Sequence, residues 1–140
     1  MKIDTSFLER CIATLDKASI LLSKENTENI DYDIYKFAAV KEYEIILEQS
    51  GKLLKKALTP YFSSSLSVDK LTFKDLFRNA LQKNIITDVE CERWLNYREN
   101  RNNTAHEYGI NFAEETIELL PSFILDATQL CHSTKQLNAD

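Results

Sequence analysis

The stretch Asp31–Leu58, DYDIYKFAAVKEYEIILEQSGKLLKKAL, decides the fold class. Phe37, Val40, Tyr43, Leu47, Leu54 and Leu58 recur along it at helical spacing, and Gly51 fills one place in the same stripe. A glycine inside a helix costs roughly 1 kcal/mol relative to alanine, so Gly51 points to close packing against a second helix. Lys52, Lys55 and Lys56 fall in the last turns, where the helix dipole favours cations. A helix this long with one apolar stripe has to bury that stripe against neighbours.

The flanking segments supply them. Thr5 to Ser23 reads as a helix with Leu8, Cys11, Ile12, Leu15, Ser19 and Leu22 facing inward, ended by the polar run at 24–29. Thr59 to Lys70, with Pro60 and three consecutive serines, has no helical period and reads as a connector. Thr72 with Asp75, and Thr87 with Glu90, have the spacing of capping boxes. They open a short helix carrying Phe73, Leu76, Phe77, Ala80 and Leu81, and a fourth helix from Asp88 to about Asn102 anchored by Trp94 and Leu95. A last helix opens at Asn111, with Glu114 three residues on, and presents Ala113, Ile117, Leu120, Ile124 and Leu130. Pro121 lies inside it and predicts a bend. The tail from Gln136 to Asp140 is expected to fray. With only two glycines and two prolines, frequent β-turns are excluded. The expected architecture is all-α: an antiparallel bundle of four to five helices forming one domain over residues 1–140.

Composition removes several functions. No Gly-rich phosphate loop or dinucleotide fingerprint can be built from two glycines. The net charge of −5 does not attract nucleic acid to the molecule as a whole. A local contact can rest only on the cluster Arg93, Arg98 and Arg101, which competes with a reading as a solvated helix face. The cysteines (Cys11, Cys91, Cys131) are far apart among apolar neighbours and read as small buried hydrophobes in a reducing compartment. No secretory leader and no membrane span are apparent, so a cytoplasmic protein is expected.

The chemistry concentrates in Arg101-Asn102-Asn103-Thr104-Ala105-His106-Glu107-Tyr108. His106 is one of only two histidines, and histidine changes charge near neutral pH. Arginine is the natural partner of a phosphate. The pair suggests phosphate-ester chemistry or nucleotide binding without a metal. Arg101 follows Trp94 by seven residues and so shares its face, pointing toward the protein or a partner. The structural alternative is an ion pair with an acid on another helix. On an unbroken helix Arg101 and His106 would point about 140° apart. They converge only if the chain turns near Asn103 or Thr104, or if one of them comes from a second subunit. His132, alone in the last helix, reads as a surface or packing residue.

Arg-x4-His-x-Tyr, with Asn102 directly after the arginine, resembles the signature of the HEPN superfamily. Within it the chain is most similar to nucleotidyltransferase substrate-binding proteins and HepT-type toxins. The similarity takes in Phe73 to Ala80, Ile85-Ile86, Trp94 and Arg101 to Tyr108, and the stretch Lys41-Glu42-Tyr43-Glu44. It implies a helical homodimer with the Arg and His of both subunits in a shared cleft. It implies metal-independent RNA cleavage with Arg101, His106 and Asn102 as the catalytic set; Arg98 and Arg93, from the basic cluster, are the candidate phosphate or nucleic-acid contacts. No cofactor is implied. A cognate minimal nucleotidyltransferase would silence such a toxin by transferring AMP to Tyr108. The alternative is a non-catalytic nucleotide- or substrate-binding subunit of that same kind of enzyme.

Overall fold

The computed structural model describes residues 2–103 and 110–139. Among them are six α-helices and no strand: α1 (Ser6–Lys24), α2 (Ile30–Leu58), α3 (Ser65–Asp69), α4 (Phe73–Gln82), α5 (Asp88–Asn103) and α6 (Ile110–Gln136). The expected all-helical bundle is present, with one more element than anticipated. The 59–70 connector contains a 3-10 turn (Thr59–Tyr61) and the five-residue α3, capped by Ser64, whose hydroxyl accepts from Ser67 N. Val68 anchors α3 in the core, almost fully buried. A single apolar contact of this kind has no period for a sequence pattern to reveal.

The capping pairs set two starts as expected. Thr72 Oγ1 accepts from Asp75 N at 3.1 Å while Asp75 Oδ2 accepts from Thr72 N at 3.2 Å. Thr87 and Glu90 make the same reciprocal pair. The end of α4 is a Schellman turn, with Ile85 N bonded to Ala80 O, Asn84 N bonded to Leu81 O, and Asn84 left-handed at φ 59°. This turn drives Ile85 and Ile86 into the core.

Three expectations change. Phe37 is 65% exposed. It lies about 120° around α2 from Tyr43, outside the buried arc of Ala39, Val40, Tyr43, Ile46, Leu47 and Ser50. α6 already includes Ile110, so Asn111 lies within the helix, where a cap's non-helical backbone is ruled out. Pro121 stands inside α6, which is continuous from Ile110 to Gln136. The tail is also more tied down than expected. Asn138 Oδ1 accepts from Ile3 N and its Nδ2 donates to Ile3 O, both at 2.9 Å, and Leu137 packs on the core.

α1 packs on α2, and α6 lies against both. α4 and α5 pack on each other and on α2, and α5 also lies on α6. Where these helices meet, six rings form one continuous group: Phe73, Phe77, Trp94, Tyr97, Phe123 and Tyr43. Phe77 stacks on Trp94 with centroids 4.9 Å apart, and Tyr97 meets Phe123 edge-on at 4.9 Å. Trp94 is fully buried, so α5 is fixed in rotation about its own axis by its largest side chain. That fixes where Arg101, two turns later, emerges.

Candidate functional site

α5 is held by two polar assemblies as well as by its rings. In the first, Arg93 donates from Nε and Nη2 to the two oxygens of Asp126, each at 2.7 Å. Tyr97 donates its O–H to Asp126 Oδ2 at 2.5 Å and lies 2.9 Å from Ser122 Oγ. The Asp126 side chain is only 5% exposed, against 40% for Arg93. The short bond from Tyr97 and the bidentate pairing of Arg93 are those of a charge-assisted network. Pairing with Asp126 raises the Arg93 pKa further, and burial followed by the Asp126 contact raises that of Tyr97.

The second assembly lies one residue before Arg101. Asn100 is buried, and its Nδ2 donates to Thr116 Oγ1 at 3.1 Å and to Tyr43 Oη at 3.4 Å. Tyr43 donates its O–H to the Tyr97 carbonyl at 2.7 Å. Burial pushes the Tyr43 phenol up to about 12, so it stays a neutral donor. The residue before Arg101 is thereby tied to both α2 and α6. Buried amides are found where a partner satisfies them, and here the partners come from two different helices.

Arg101 reaches the rim. Its Nε lies 3.3 Å from Glu44 Oε2, with the side chains 40% and 28% exposed. The expectation that it points toward the protein holds, and the acid from another helix is Glu44, the neighbour of Tyr43. The pair is half-solvated, so the guanidinium is oriented while remaining reachable from solution. Asn102 is exposed beside it. Arg98, one turn earlier, places its guanidinium 5.2 Å from the centroid of Phe73. Arg93 faces α6 with two N–H groups committed to Asp126. His106 and Tyr108 lie outside the described residues, as does any turn after Asn103 that would bring His106 toward Arg101.

Sequence reasoning missed Asn100, Thr116, Asp126 and the pairing of Glu44. Tyr97 had a local signal, being three residues after Trp94 on the same face. Asn100 repeats that step from Tyr97, and a polar residue continuing an apolar stripe is the signature of a buried hydrogen-bond site. Thr116 and Asp126 had none, because their partners are distant in the chain. The remaining candidates behave as anticipated. His132 is exposed and 3.0 Å from Gln136. All three thiols are buried and unbridged, and burial raises the pKa of each, to about 11 for Cys11 and Cys131. Among the described residues no group of three or more His, Cys, Asp or Glu side chains could hold a metal. None of the described helices is long and apolar enough to cross a membrane.

Known proteins resemble this chain. A Haemophilus influenzae protein named as a probable ribonuclease HepT is 25% identical over 98% of this chain and 95% of its own length. A solved Haemophilus influenzae structure, described as revealing the fold of a substrate binding domain of a nucleotidyltransferase, superposes with a TM-score of 0.80. It is 22% identical and covers 94% of this chain and 99% of its own, a likeness that carries the fold alone. The family model for nucleotidyltransferase substrate binding protein-like chains matches residues 4–136. With nearly the whole bundle matched, the chain belongs to the nucleotidyltransferase substrate-binding-protein-like family.

Proposed function

We propose that this chain is a metal-independent endoribonuclease, the toxin of a two-component pair whose other member is a minimal nucleotidyltransferase. The observation that carries the reading is Arg101: a guanidinium held at a solvent-accessible rim by Glu44, five residues before a histidine. The ribonuclease name of a relative matched over nearly its full length supports it. In this reading His106 takes the proton of a ribose 2′-hydroxyl, whose oxygen forms a bond to the adjacent phosphorus. The bond from phosphorus to the 5′-oxygen breaks, and that oxygen leaves with the proton that the protonated His106 gives up. The products are a 2′,3′-cyclic phosphate and a 5′-hydroxyl. Arg101 stabilises the charge that develops on the phosphoryl oxygens, and Asn102 orients the phosphate. Two subunits bring two copies of Arg101 and His106 into one cleft. AMP transfer to Tyr108 by the partner enzyme places a phosphate and a base at the edge of that cleft and blocks it.

The test is cleavage of single-stranded RNA by the purified full-length chain, with product ends analysed for cyclic phosphate. His106→Ala is expected to lower the rate by about 10²–10⁴-fold, and expression without the nucleotidyltransferase is expected to arrest growth. A folded wild-type protein that cleaves no RNA sinks the proposal. The family description favours a second reading, a non-catalytic subunit that presents substrate to a nucleotidyltransferase. It predicts nucleotide binding that survives His106→Ala, is lost in Arg101→Ala, and is unaccompanied by cleavage.

A further inference from the structure

One turn from Arg101, the surface between α2, α4 and α5 opens into a groove of about 270 Å³. Lys52 and Lys55 stand on its α2 side and Arg98 on its α5 side, while Gly51, Phe73 and Leu76 form the floor. Lys cations at the end of α2 suit the helix dipole. That does not account for Arg98, which comes from another helix and completes a cationic frame around an apolar floor. The Arg98 guanidinium sits over the Phe73 ring. The aromatic contact holds the guanidinium at the groove, where a base can stack on it. Arg98 and Arg101 are three residues apart on one helix, so they are surface neighbours. Glu44, Glu48, Lys52 and Lys55 likewise follow one another along a single face of α2.

We infer that this groove binds the strand of a single-stranded RNA next to the phosphate engaged by Arg101: Lys52 and Lys55 contact backbone phosphates, and an unstacked base lies on the Arg98 guanidinium plane. The inference rests on the ribonuclease reading of Arg101. Stacking of splayed bases on guanidinium planes and aromatic rings, with a basic track for the backbone, is how single strands are held without sequence readout. Among the described residues lining the groove Glu48 is the one acid, 3.5 Å from Lys52, and both side chains are mostly exposed. Such an i,i+4 pair is weak in water, so an incoming phosphate displaces it. The overall charge of −5 then matters less than the local frame, and it confines binding to this face.

The experiment uses the full-length protein and a fluorescein-labelled single-stranded RNA with 2′-O-methyl riboses, which has no nucleophile and cannot be cleaved. Affinity is measured by anisotropy from 50 to 200 mM salt. Lys52→Ala with Lys55→Ala leaves the helix intact, and is expected to lower the slope of log K against log salt by about 1.4, from roughly 0.7 per phosphate contact on a single strand. Adding Arg98→Ala removes the stacking surface: the loss of slope stays at about 1.4, while binding weakens at least about tenfold at low salt. Arg98→Lys keeps the charge and is expected to hold the slope of wild type while losing affinity. A charge-matched pair on α1, Lys17→Ala with Lys24→Ala, is expected to leave the slope unchanged. Unchanged slope in the folded Lys52/Lys55 variant overturns the inference, as does failure of wild type to bind the probe. Loss of nucleotidyltransferase association without loss of RNA affinity also overturns it. Cleavage of unmodified RNA is followed in parallel. Cleavage that depends on His106 with an unaltered groove slope sinks the groove alone, whereas groove-dependent binding without any cleavage sinks only the nuclease reading.

Discussion

Removing Arg93 should cost more stability than removing its partner Asp126, although Arg93 is the more exposed of the two. The Asp126 side chain is 5% exposed and that of Arg93 is 40%. Arg93→Ala leaves a buried carboxylate with one strong donor, the Tyr97 O–H. A stranded buried charge costs about 3–5 kcal/mol. The remaining hydrogen bond and the space opened for water bring the estimate to about 3 kcal/mol. Asp126→Ala instead leaves a guanidinium that solvent already reaches, at a cost of about 1–2 kcal/mol for the lost charge-assisted bonds. For a chain of 140 residues each kcal/mol moves Tm by roughly 3–4 °C. The expected decreases are therefore about 10 °C for Arg93→Ala and about 5 °C for Asp126→Ala. In the double variant no charge is stranded, so its cost should be close to that of Asp126→Ala alone, with a coupling energy of at least about 1 kcal/mol. Urea denaturation followed by circular dichroism measures all four corners of the cycle. Additive costs, or a larger loss for Asp126→Ala, would refute the assignment of Arg93 as the cation that makes a buried carboxylate tolerable.

Other outcomes are open to direct measurement. Gly51→Ala is expected to raise Tm by about 3 °C: the added Cβ would lie 3.6 Å from Phe73, an ordinary contact, and alanine gains about 0.8–1 kcal/mol of helix propensity. A drop in Tm would show that the glycine serves close approach after all. Bonds to Lys135, and to Thr72, hold the Glu9 and Asp75 carboxyls below their ordinary values of 4.5 and 3.8. Their contribution is complete above those values and is lost as pH falls through the lower folded ones. Urea midpoints should therefore decline below about pH 4.5, with a shallower decline in Glu9→Gln. The thiols should be nearly inert to a disulfide reagent at pH 8 in the native state, because burial raises Cys11 and Cys131 to about 11. Reaction of all three within the mixing time in native buffer would contradict their burial.

Legibility followed the range of each interaction. The starts of α4 and α5 could be read because a capping box is complete within four residues, and both boxes form. The stripe of α2 was readable from Val40 onward, but Phe37 was misplaced because an apolar residue off the buried arc still falls near a helical spacing. α3 went unseen since one contact by Val68 secures it. At the site, Arg101 was found by its spacing to His106, and its orientation followed from Trp94. Glu44 could not be assigned to it, because the two stand 57 positions apart and the chain between carries no local trace of the approach. The same holds for Asp126, whose burial is comprehensible only once Arg93 and Tyr97 stand opposite. Long-range polar pairs are set by how helices rotate against one another, and a single chain's periodicity does not report that rotation.

The side chain of Asn138 bridges both backbone groups of Ile3, which brings the two ends of the described chain together at one pole of the bundle. α6 runs 27 residues from Ile110 to Gln136, about 40 Å at 1.5 Å per residue. Arg101 and the start of α6 thus sit at the far pole. A fusion partner, surface tether or affinity handle attached at either end therefore projects away from the motif, and a short linker joining residue 138 to residue 3 would close the chain into a ring without crossing the groove. Immobilised through either end, the protein presents Arg101 to solution.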